Sequence, residues 1–151
     1  MHYRLFEHED FEDLYAVEEV CFPPPERFSR SYMQQLVRKP RAATWVAEES
    51  FRLAGFAIIE WSRQSAGIQA YIPTIEVLPE MRCRGIGSKL LQRIEGSAAA
   101  VGAIEVWLHV DVRNSSAIRL YEAHGYRNAG EAQHYYARGR DAKIYMKPLA
   151  C

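Results

Sequence analysis

A pair of closely spaced glycines, preceded by two arginines, is the feature of this sequence best suited to chemistry. The segment Arg82–Ser88 reads R-C-R-G-I-G-S and lies between an apolar stretch that ends at Val77 and a helical pattern. Glycines let the backbone turn sharply and approach a ligand, and the free N–H groups at a helix N-terminus attract phosphate. The pattern predicts an anion site, although the same glycines would also suit an ordinary strand-to-helix turn.

Two common nucleotide-binding fingerprints do not match this loop. A Walker A loop needs G-x-x-x-x-G-K-[ST], whereas here Ser88 precedes Lys89 and the first glycine is missing. A dinucleotide fingerprint needs a third glycine where Leu90 stands. The loop by itself therefore indicates a phosphate ligand without naming it.

The composition indicates one globular domain, which we expect to span residues 1–151. The chain is 48% hydrophobic, enough for one core, and it is too short for two comfortable domains. Nineteen basic and nineteen acidic side chains give a formal net charge of zero, so no net field favours nucleic acid or anionic lipid. We therefore expect neither nucleic acid nor a membrane as a partner. We expect the protein to be a monomer or a homodimer.

Cysteine usage and hydropathy predict a cytoplasmic protein. Cys21, Cys83 and Cys151 are widely spaced and form no C-x-x-C pattern, which argues against a disulfide framework or a metal site. No apolar run approaches the roughly 20 residues of a membrane helix, and Met1–Asp10 lacks the basic and apolar regions of a signal peptide. We therefore expect a reducing compartment.

Hydrophobic spacing predicts the elements around the loop in the order β, α, α, β, β, β, α, β, α, β, β. Asp10 is placed to cap a first helix that ends before Pro23, and Ser29 to cap a second. The strand at Ile104–Val110 is nearly continuously apolar, which predicts a central strand buried on both faces. The other predicted elements are strands at Tyr3–Phe6, Ala43–Glu48, Leu53–Trp61, Ala70–Val77, Tyr126–Tyr135 and Lys143–Lys147, and helices at Ile86–Val101 and Ser115–His124.

Two motifs resemble those of the GNAT acetyltransferase superfamily. Arg82-x-x-Gly85-x-Gly87, after a strand that ends in I-E-V, resembles the superfamily's coenzyme A pyrophosphate loop. The segment Asn114–Tyr126 is similar to the superfamily's later motif, N-x-x-A-x-x-L-Y-x-x-x-G-[FY]. The ending His134–Ala142, with its Y-Y and D-A pairs, resembles that of protein N-terminal acetyltransferases of the RimI and NatE types.

The resemblance implies an α/β fold of the α+β kind, with a mixed, mostly antiparallel sheet, splayed parallel central strands and flanking helices. It implies acetyl-CoA as donor, direct transfer to an amine in a ternary complex, and coenzyme A as product. Backbone groups of Ile75, Glu76 and Val77 would pair with pantetheine or the acetyl oxygen, and Asn114 would contact the pantetheine arm. The residues implied to hold the pyrophosphate are Arg82, Cys83, Arg84, Gly85, Ile86, Gly87 and Ser88.

The resemblance also assigns catalytic roles. Tyr121 matches the tyrosine that protonates the departing thiolate, although by helical spacing alone it would be a core aromatic. His109 and Tyr71 match the histidine and tyrosine with which the NatE type is thought to deprotonate the amine through water. RimI-type enzymes have glutamate at the position of His109. An ordinary imidazole pKa of about 6.5 suits proton abstraction from an α-amine. A buried structural histidine is the alternative.

Glu76 is a rival base, because many superfamily members carry a carboxylate on this strand. Strand alternation directs its side chain to the face opposite Tyr71, so we rank it below His109 and Tyr71. Phe22 and Pro23 resemble the wall of the pocket for the first substrate residue. Tyr135 and Tyr136 resemble the hairpin tyrosines that bind the substrate backbone; otherwise all four are plain surface or core residues.

These assignments predict an N-acetyltransferase that modifies the N-terminal α-amine of a protein or peptide. One alternative keeps the enzyme class and changes the acceptor to a small amine, such as a polyamine or aminoglycoside, or to a lysine side chain; a strongly acidic pocket would favour it. Another is a non-catalytic module that binds acyl-CoA. Tyr121 and His109 argue against that module, since function follows from the site rather than the fold.

Overall fold

The computed structural model describes residues 1–137 and 140–149, without the side chains of residues 134, 136, 137 and 140. Helices α1 to α4 span Phe11–Cys21, Arg30–Arg38, Ile86–Ala100 and Ser115–Ala123. Strands β1 to β7 span His2–Leu5, Ala42–Glu49, Arg52–Gln64, Gly67–Val77, Ala103–Asp111, Arg127–Ala137 and Arg140–Pro148. The predicted order of elements is confirmed. Within the described residues, no helix has the length and apolar character needed to cross a membrane.

The described strands form one seven-stranded sheet in the order β1-β2-β3-β4-β5-β7-β6. Neighbouring strands are antiparallel except β4 and β5, which run parallel. A parallel pair needs a crossover connection, and α3 supplies it. The predicted mixed, mostly antiparallel sheet is therefore confirmed.

The parallel strands β4 and β5 separate partway along their length. Their pairing ends at Ile72 and Leu108, whereas β4 continues to Val77 and β5 to Asp111. Beyond that point no backbone pairing joins the facing edges of these two described strands. The sheet therefore has a gap at the carboxyl ends of its parallel strands, the place where open α/β sheets bind ligands.

Each face of the sheet carries its own core. On one face α3 packs on the sheet through side chains such as Leu90 and Ile94. On the other face α1 and α2 pack through Leu14 and Met33, against β2 and β3. Because β3 has buried side chains throughout Leu53–Ile59, it contributes to both cores.

The prediction that β5 is buried on both faces is wrong. Val106, Leu108 and Val110 are buried in the core with α3, whereas Trp107 and His109 between them are only partly buried. The reason is that α1 and α2 pack against β2, β3 and the later part of β4 and leave β5 uncovered on that face. Trp107 therefore masks an alternating pattern, because a large aromatic residue stands on the open face.

One predicted helix cap is confirmed and the other is wrong. Ser29 Oγ accepts the Tyr32 N–H at 3.1 Å, as an N-cap should. Asp10 makes no cap bond to α1; its carboxylate accepts the Glu7 N–H at 2.7 Å and two N–H groups of Arg4 at 2.8 and 2.9 Å. The Arg4 guanidinium lowers the pKa of Asp10. An ion pair with β1 thus outcompetes the cap and ties β1 to the start of α1.

Candidate active site

The alternation of hydrogen bonds along β4 decides which backbone groups face the gap. Leu78 N–H donates to Ala54 O at 2.8 Å, so Leu78 and, two residues earlier, Glu76 turn their backbone groups toward β3. Ile75 and Val77 then turn theirs toward the gap. Backbone pairing with a cofactor is therefore open to Ile75 and to the N–H of Val77, whereas the backbone of Glu76 is directed away from the gap.

The loop after β4 is held in place by its own arginines. Arg82 Nε donates to Val77 O at 3.0 Å, and Arg84 forms an ion pair with Glu49 at 3.4 Å. Cys83 and Gly85 have positive φ angles, 63° and 78°. A Cβ at Gly85 would meet nothing within 4 Å, so glycine is favoured there by its φ angle and not by lack of space.

The start of α3 fits a phosphate group. Its N-cap, Gly85, has no side chain to accept from the N–H groups of the first turn, which remain available as donors at the positive end of the helix dipole. At Gly87 a Cβ would meet Leu120 at 3.5 Å, an ordinary contact, so packing within the protein does not require glycine. Close approach of a ligand to the backbone would require it. The loop therefore suits a diphosphate.

His109 and Tyr71 meet on the face of the sheet that α1 and α2 partly cover. Tyr71 OH and His109 Nδ1 are 2.9 Å apart. The Tyr135 ring stacks on the imidazole with 4.0 Å between ring centroids and 10° between planes, and its hydroxyl lies 3.4 Å from that of Tyr71. The structure thus brings three of the predicted site residues together, while their roles stay a prediction.

The surroundings of His109 favour a neutral imidazole. Burial lowers the pKa of His109 from its ordinary value of 6.5. At neutral pH the ring is therefore uncharged and has a lone pair for a proton. The hydrogen bond with Tyr71 fixes the ring orientation, as a base needs. The cluster can accept a proton from a substrate that reaches it.

A cavity of about 770 Å³ opens beside this cluster. Phe22 and Pro23 do not line it, so the structure does not bring them together with His109 in this space. They lie in the connection between α1 and α2, where Arg27 Nε donates to Phe22 O at 3.0 Å. The side chain of Tyr136 lies outside the described residues. The lining residues are Lys39, Pro40, Arg41, Glu60, Trp61, Ser62, Gln64, Gln69, Tyr71, Trp107, His109 and Tyr135.

Several residues of the cavity are missing from the sequence-based prediction. The Trp107 ring centroid lies 4.5 Å from that of Tyr71 and 5.3 Å from that of His109. Its position two residues before His109 on one strand was a usable signal, because such residues share a face. Lys39 and Glu60 form an ion pair at 2.6 Å across distant segments, and no local pattern indicates it.

Tyr121 and Asn114 lie on the other face of the sheet, in and before α4. Tyr121 is 7% exposed and packs in the core with α3, with its ring edge toward Tyr126 at 5.6 Å between centroids. Asn114 Oδ1 accepts the Ala117 N–H at 3.2 Å and so caps α4, while its amide nitrogen is the group left for a pantetheine contact. His109 and Tyr121 are therefore on opposite sides of β4 and β5.

The face predicted for Glu76 relative to Tyr71 is wrong. Ile58 pairs with Thr74 and Glu60 with Tyr71, so between these pairs β4 uses one residue more than β3. This bulge reverses the alternation, and Glu76 shares a face with Tyr71 after all.

Burial beneath α1, and not orientation, separates Glu76 from the cavity. Glu76 is 3% exposed, and its Oε2 accepts from Thr74 Oγ1 at 2.7 Å. Glu18 of α1 is 1% exposed, and its Oε2 accepts the Phe28 N–H at 3.0 Å. The second oxygen of each carboxyl has no other partner in the described part of the chain, and a proton on Glu76 would give both oxygens a hydrogen bond. Burial and then Glu18 raise the pKa of Glu76 well above its ordinary range, so it is a covered acid rather than a base.

Comparison with known families agrees with this arrangement, in which a glycine loop follows β4 beside the gap in the sheet and Asn114 caps α4. The model of the acetyltransferase (GNAT) family matches residues 8–126. The chain belongs to the GNAT family of acetyltransferases. The family resemblance of the two motifs is confirmed, and the enzyme is an acyltransferase that uses acetyl-CoA.

Relatives of this GNAT chain are named as N-acetyltransferases. An N-alpha-acetyltransferase of Sulfurisphaera tokodaii is 33% identical over 134 residues, which are 83% of this chain and 80% of the relative. A ribosomal protein bS18-alanine N-acetyltransferase of Salmonella typhimurium is 34% identical over 97 residues, 63% of each chain. The solved structure of the ribosomal-protein-S18-alanine N-acetyltransferase from Escherichia coli has a TM-score of 0.86, covering 99% of this chain and 94% of that one at 24% identity. This last likeness shows the fold.

Proposed function

We propose that this enzyme acetylates the N-terminal α-amine of a protein or peptide. The observation that carries the proposal is the His109–Tyr71 pair at a cavity of about 770 Å³ whose acidic side chain, Glu60, is neutralised by Lys39. The relative named N-alpha-acetyltransferase, matched over 83% of this chain, supports the same acceptor.

In this proposal His109 and Tyr71 remove the proton from the substrate amine. An α-amine has a pKa of about 8, so near neutral pH it is mostly charged and must lose a proton before it can attack. Burial keeps His109 neutral through its lowered pKa, and the 2.9 Å hydrogen bond with Tyr71 orients the ring. A base with these properties is matched to an α-amine better than to a lysine side chain, whose pKa is about 10.4.

The other face of the sheet serves the donor. When bound, acetyl-CoA supplies a thioester whose carbonyl carbon an amine can attack. The backbone groups of Ile75 and Val77 that face the gap would orient it, and the first-turn N–H groups of α3 would hold its diphosphate. Tyr121 would donate a proton to the leaving sulfur. Because His109 and Tyr121 lie on opposite faces, donor and acceptor can be bound at once, which supports direct transfer in a ternary complex.

The predicted substrate contacts are part of the same proposal. Tyr135, stacked on His109 at the cavity, is placed to contact the first residues of the acceptor. Phe22, Pro23 and Tyr136 stay predicted contacts. We also propose a cytoplasmic location, which suits the free thiols of Cys21 and Cys83.

The lining of the cavity does not favour a polyamine or aminoglycoside. A small polycation needs several carboxylates, whereas the acidic side chain that lines the cavity is Glu60, and Lys39 neutralises it at 2.6 Å. A module that only binds acyl-CoA would have no use for a neutral histidine hydrogen-bonded to a tyrosine. N-terminal acetylation is therefore the function that the cavity supports best.

The proposal is tested with purified protein, acetyl-CoA and three sets of acceptors. The first set is peptides with free N-termini, the second is the same peptides with blocked N-termini and one lysine, and the third is small amines such as spermidine. Release of coenzyme A, followed with a thiol reagent, should occur with the first set and fall sharply in a His109→Ala enzyme. Turnover confined to the second or third set would contradict the proposal.

A further inference from the structure

The cavity extends beyond the catalytic cluster along an uncovered part of the sheet. On β3 it is lined by Glu60, Ser62 and Gln64, and on β4 by Gln69, which pairs with Ser62. Ser62 and Gln64 are exposed, because α1 and α2 pack only on the earlier part of β3. We call this part of the cavity, formed by these four residues and Arg41, the open groove.

The open groove has the length of a short extended peptide. From Glu60 to Gln64 the strand advances four residues, about 14 Å at ~3.4 Å per residue. An extended polypeptide crosses that distance with about four residues. The groove begins at Glu60, which pairs with Tyr71, so it is continuous with the catalytic cluster.

The floor of the open groove suits a main chain. Ser62, Gln64 and Gln69 carry hydroxyl and amide groups, which both donate and accept hydrogen bonds. The N–H and C=O groups of an extended peptide need both kinds of partner. Gln64 Nε2 donates to Ser62 Oγ at 2.8 Å, so these side chains already share one hydrogen-bonding row. A small amine has no peptide main chain with which to pair this row of side chains.

The rim of the open groove carries one surplus positive charge. Glu60 is neutralised by Lys39 at 2.6 Å. Arg41 lines the same cavity, and in the described part of the chain it has no ion pair with a carboxylate. An acidic side chain on the ligand would complement it.

We infer that the acceptor residues that follow the acetylated one lie extended in the open groove, with an acidic side chain preferred among them. The inference rests on the proposed function and narrows its substrate class. The acceptor is then a polypeptide whose first four or five residues are free to extend, and not a free amino acid or a dipeptide.

Peptide length is the direct test. We would measure kcat/KM for peptides of two to six residues that share the same first two residues. Contacts along the groove should raise kcat/KM about tenfold between the shortest and the longest, the effect of one or two hydrogen bonds. Ser62→Trp should fill the groove and abolish this gain. Arg63→Trp is the matched control, since Arg63 pairs with Ile68 and points to the other face.

Peptide charge is the second arm of the same experiment. Six-residue peptides with Asp or Lys at the fourth position should differ about threefold in kcat/KM in favour of Asp, as an exposed ion pair allows. Arg41→Gln should remove the difference, and Arg63→Gln should keep it. Equal use of both peptides by the wild-type enzyme would overturn the acidic preference.

The outcomes separate this inference from the proposed function. If peptides are acetylated with a kcat/KM that does not depend on length, or if Ser62→Trp keeps the gain, the open groove is not the acceptor path and N-terminal acetylation stands. If no peptide of any length is acetylated, the proposed function fails and this inference fails with it.

Discussion

Replacing Glu76 with glutamine should make the stability of this enzyme less dependent on pH. In the wild-type fold Glu76 and Glu18 are both buried, and burial and then Glu18 raise the pKa of Glu76, so that Glu76 keeps a proton that it can donate to Glu18. A glutamine at position 76 can donate an amide N–H to Glu18 in place of that proton and still accept from Thr74. The variant should therefore fold without taking up a proton at this site.

The magnitude follows from proton linkage. The pKa of Glu76 is raised above its ordinary value of 4.5. The stability that protonated Glu76 contributes is therefore fully present below pH 4.5 and is lost as pH rises toward the raised pKa. In that window the wild-type enzyme loses about 1.4 kcal/mol per pH unit, because the folded pair keeps a proton that the unfolded chain has released. In a domain of this size that loss lowers Tm by about 4 °C per pH unit relative to Glu76→Gln.

The measurement is urea denaturation of both proteins at pH 4.5, 5.5, 6.5 and 7.5. The difference in the free energy of unfolding, variant minus wild type, should grow from pH 4.5 upward, by at most about 1.4 kcal/mol per unit, and level off above the raised pKa of Glu76. Glu80→Gln is the control, because Glu80 is exposed and pairs with exposed Arg52. A difference for Glu76→Gln that stays constant from pH 4.5 to 7.5 would refute the buried proton on Glu76.

Further variants address the active site. His109→Ala should lower kcat about a hundredfold, and because burial lowers the pKa of His109, the acid-side fall of the wild-type kcat/KM in a pH profile should lie below pH 6.5. Tyr121→Phe should also lower kcat about a hundredfold while the Tm in a thermal scan changes little, since the buried ring is kept. Gly85→Ala should cost about 1 kcal/mol in chemical denaturation because φ is 78°, whereas Gly87→Ala should leave stability nearly unchanged and raise the KM for acetyl-CoA. The reverse pattern for the two glycines would contradict the phosphate loop.

The parts of the fold that local pattern controls could be predicted from the sequence. The glycine loop lies where Gly85 and the strand ending at Val77 predict it, and Ser29 caps its helix. The hydrogen bond between His109 and Tyr71 was accessible through family resemblance, because residues far apart in the chain leave no local signal of contact.

What the sequence could not predict depends on tertiary competition. Asp10 is a good helix cap by type, but Arg4 on the adjacent strand binds it more strongly. Strand alternation fails at Glu76 because a bulge inserts one residue into β4. Pro73, which lies in that bulge, was a usable signal, because proline within a strand is typical of bulges. The meeting of Glu76 with Glu18 joins a strand to a helix from another part of the chain, so neither residue's neighbours indicate a buried proton on Glu76.

The position of the acetyl group on a two-amine peptide tests the central claim most directly. A peptide with a free N-terminus and one lysine further along is incubated with acetyl-CoA and the enzyme, and the product is sequenced by fragmentation in a mass spectrometer. We predict an acetyl group on the α-amine and an unmodified lysine. Acetylation of the lysine with a free α-amine, or no acetylation of the peptide, would contradict the account.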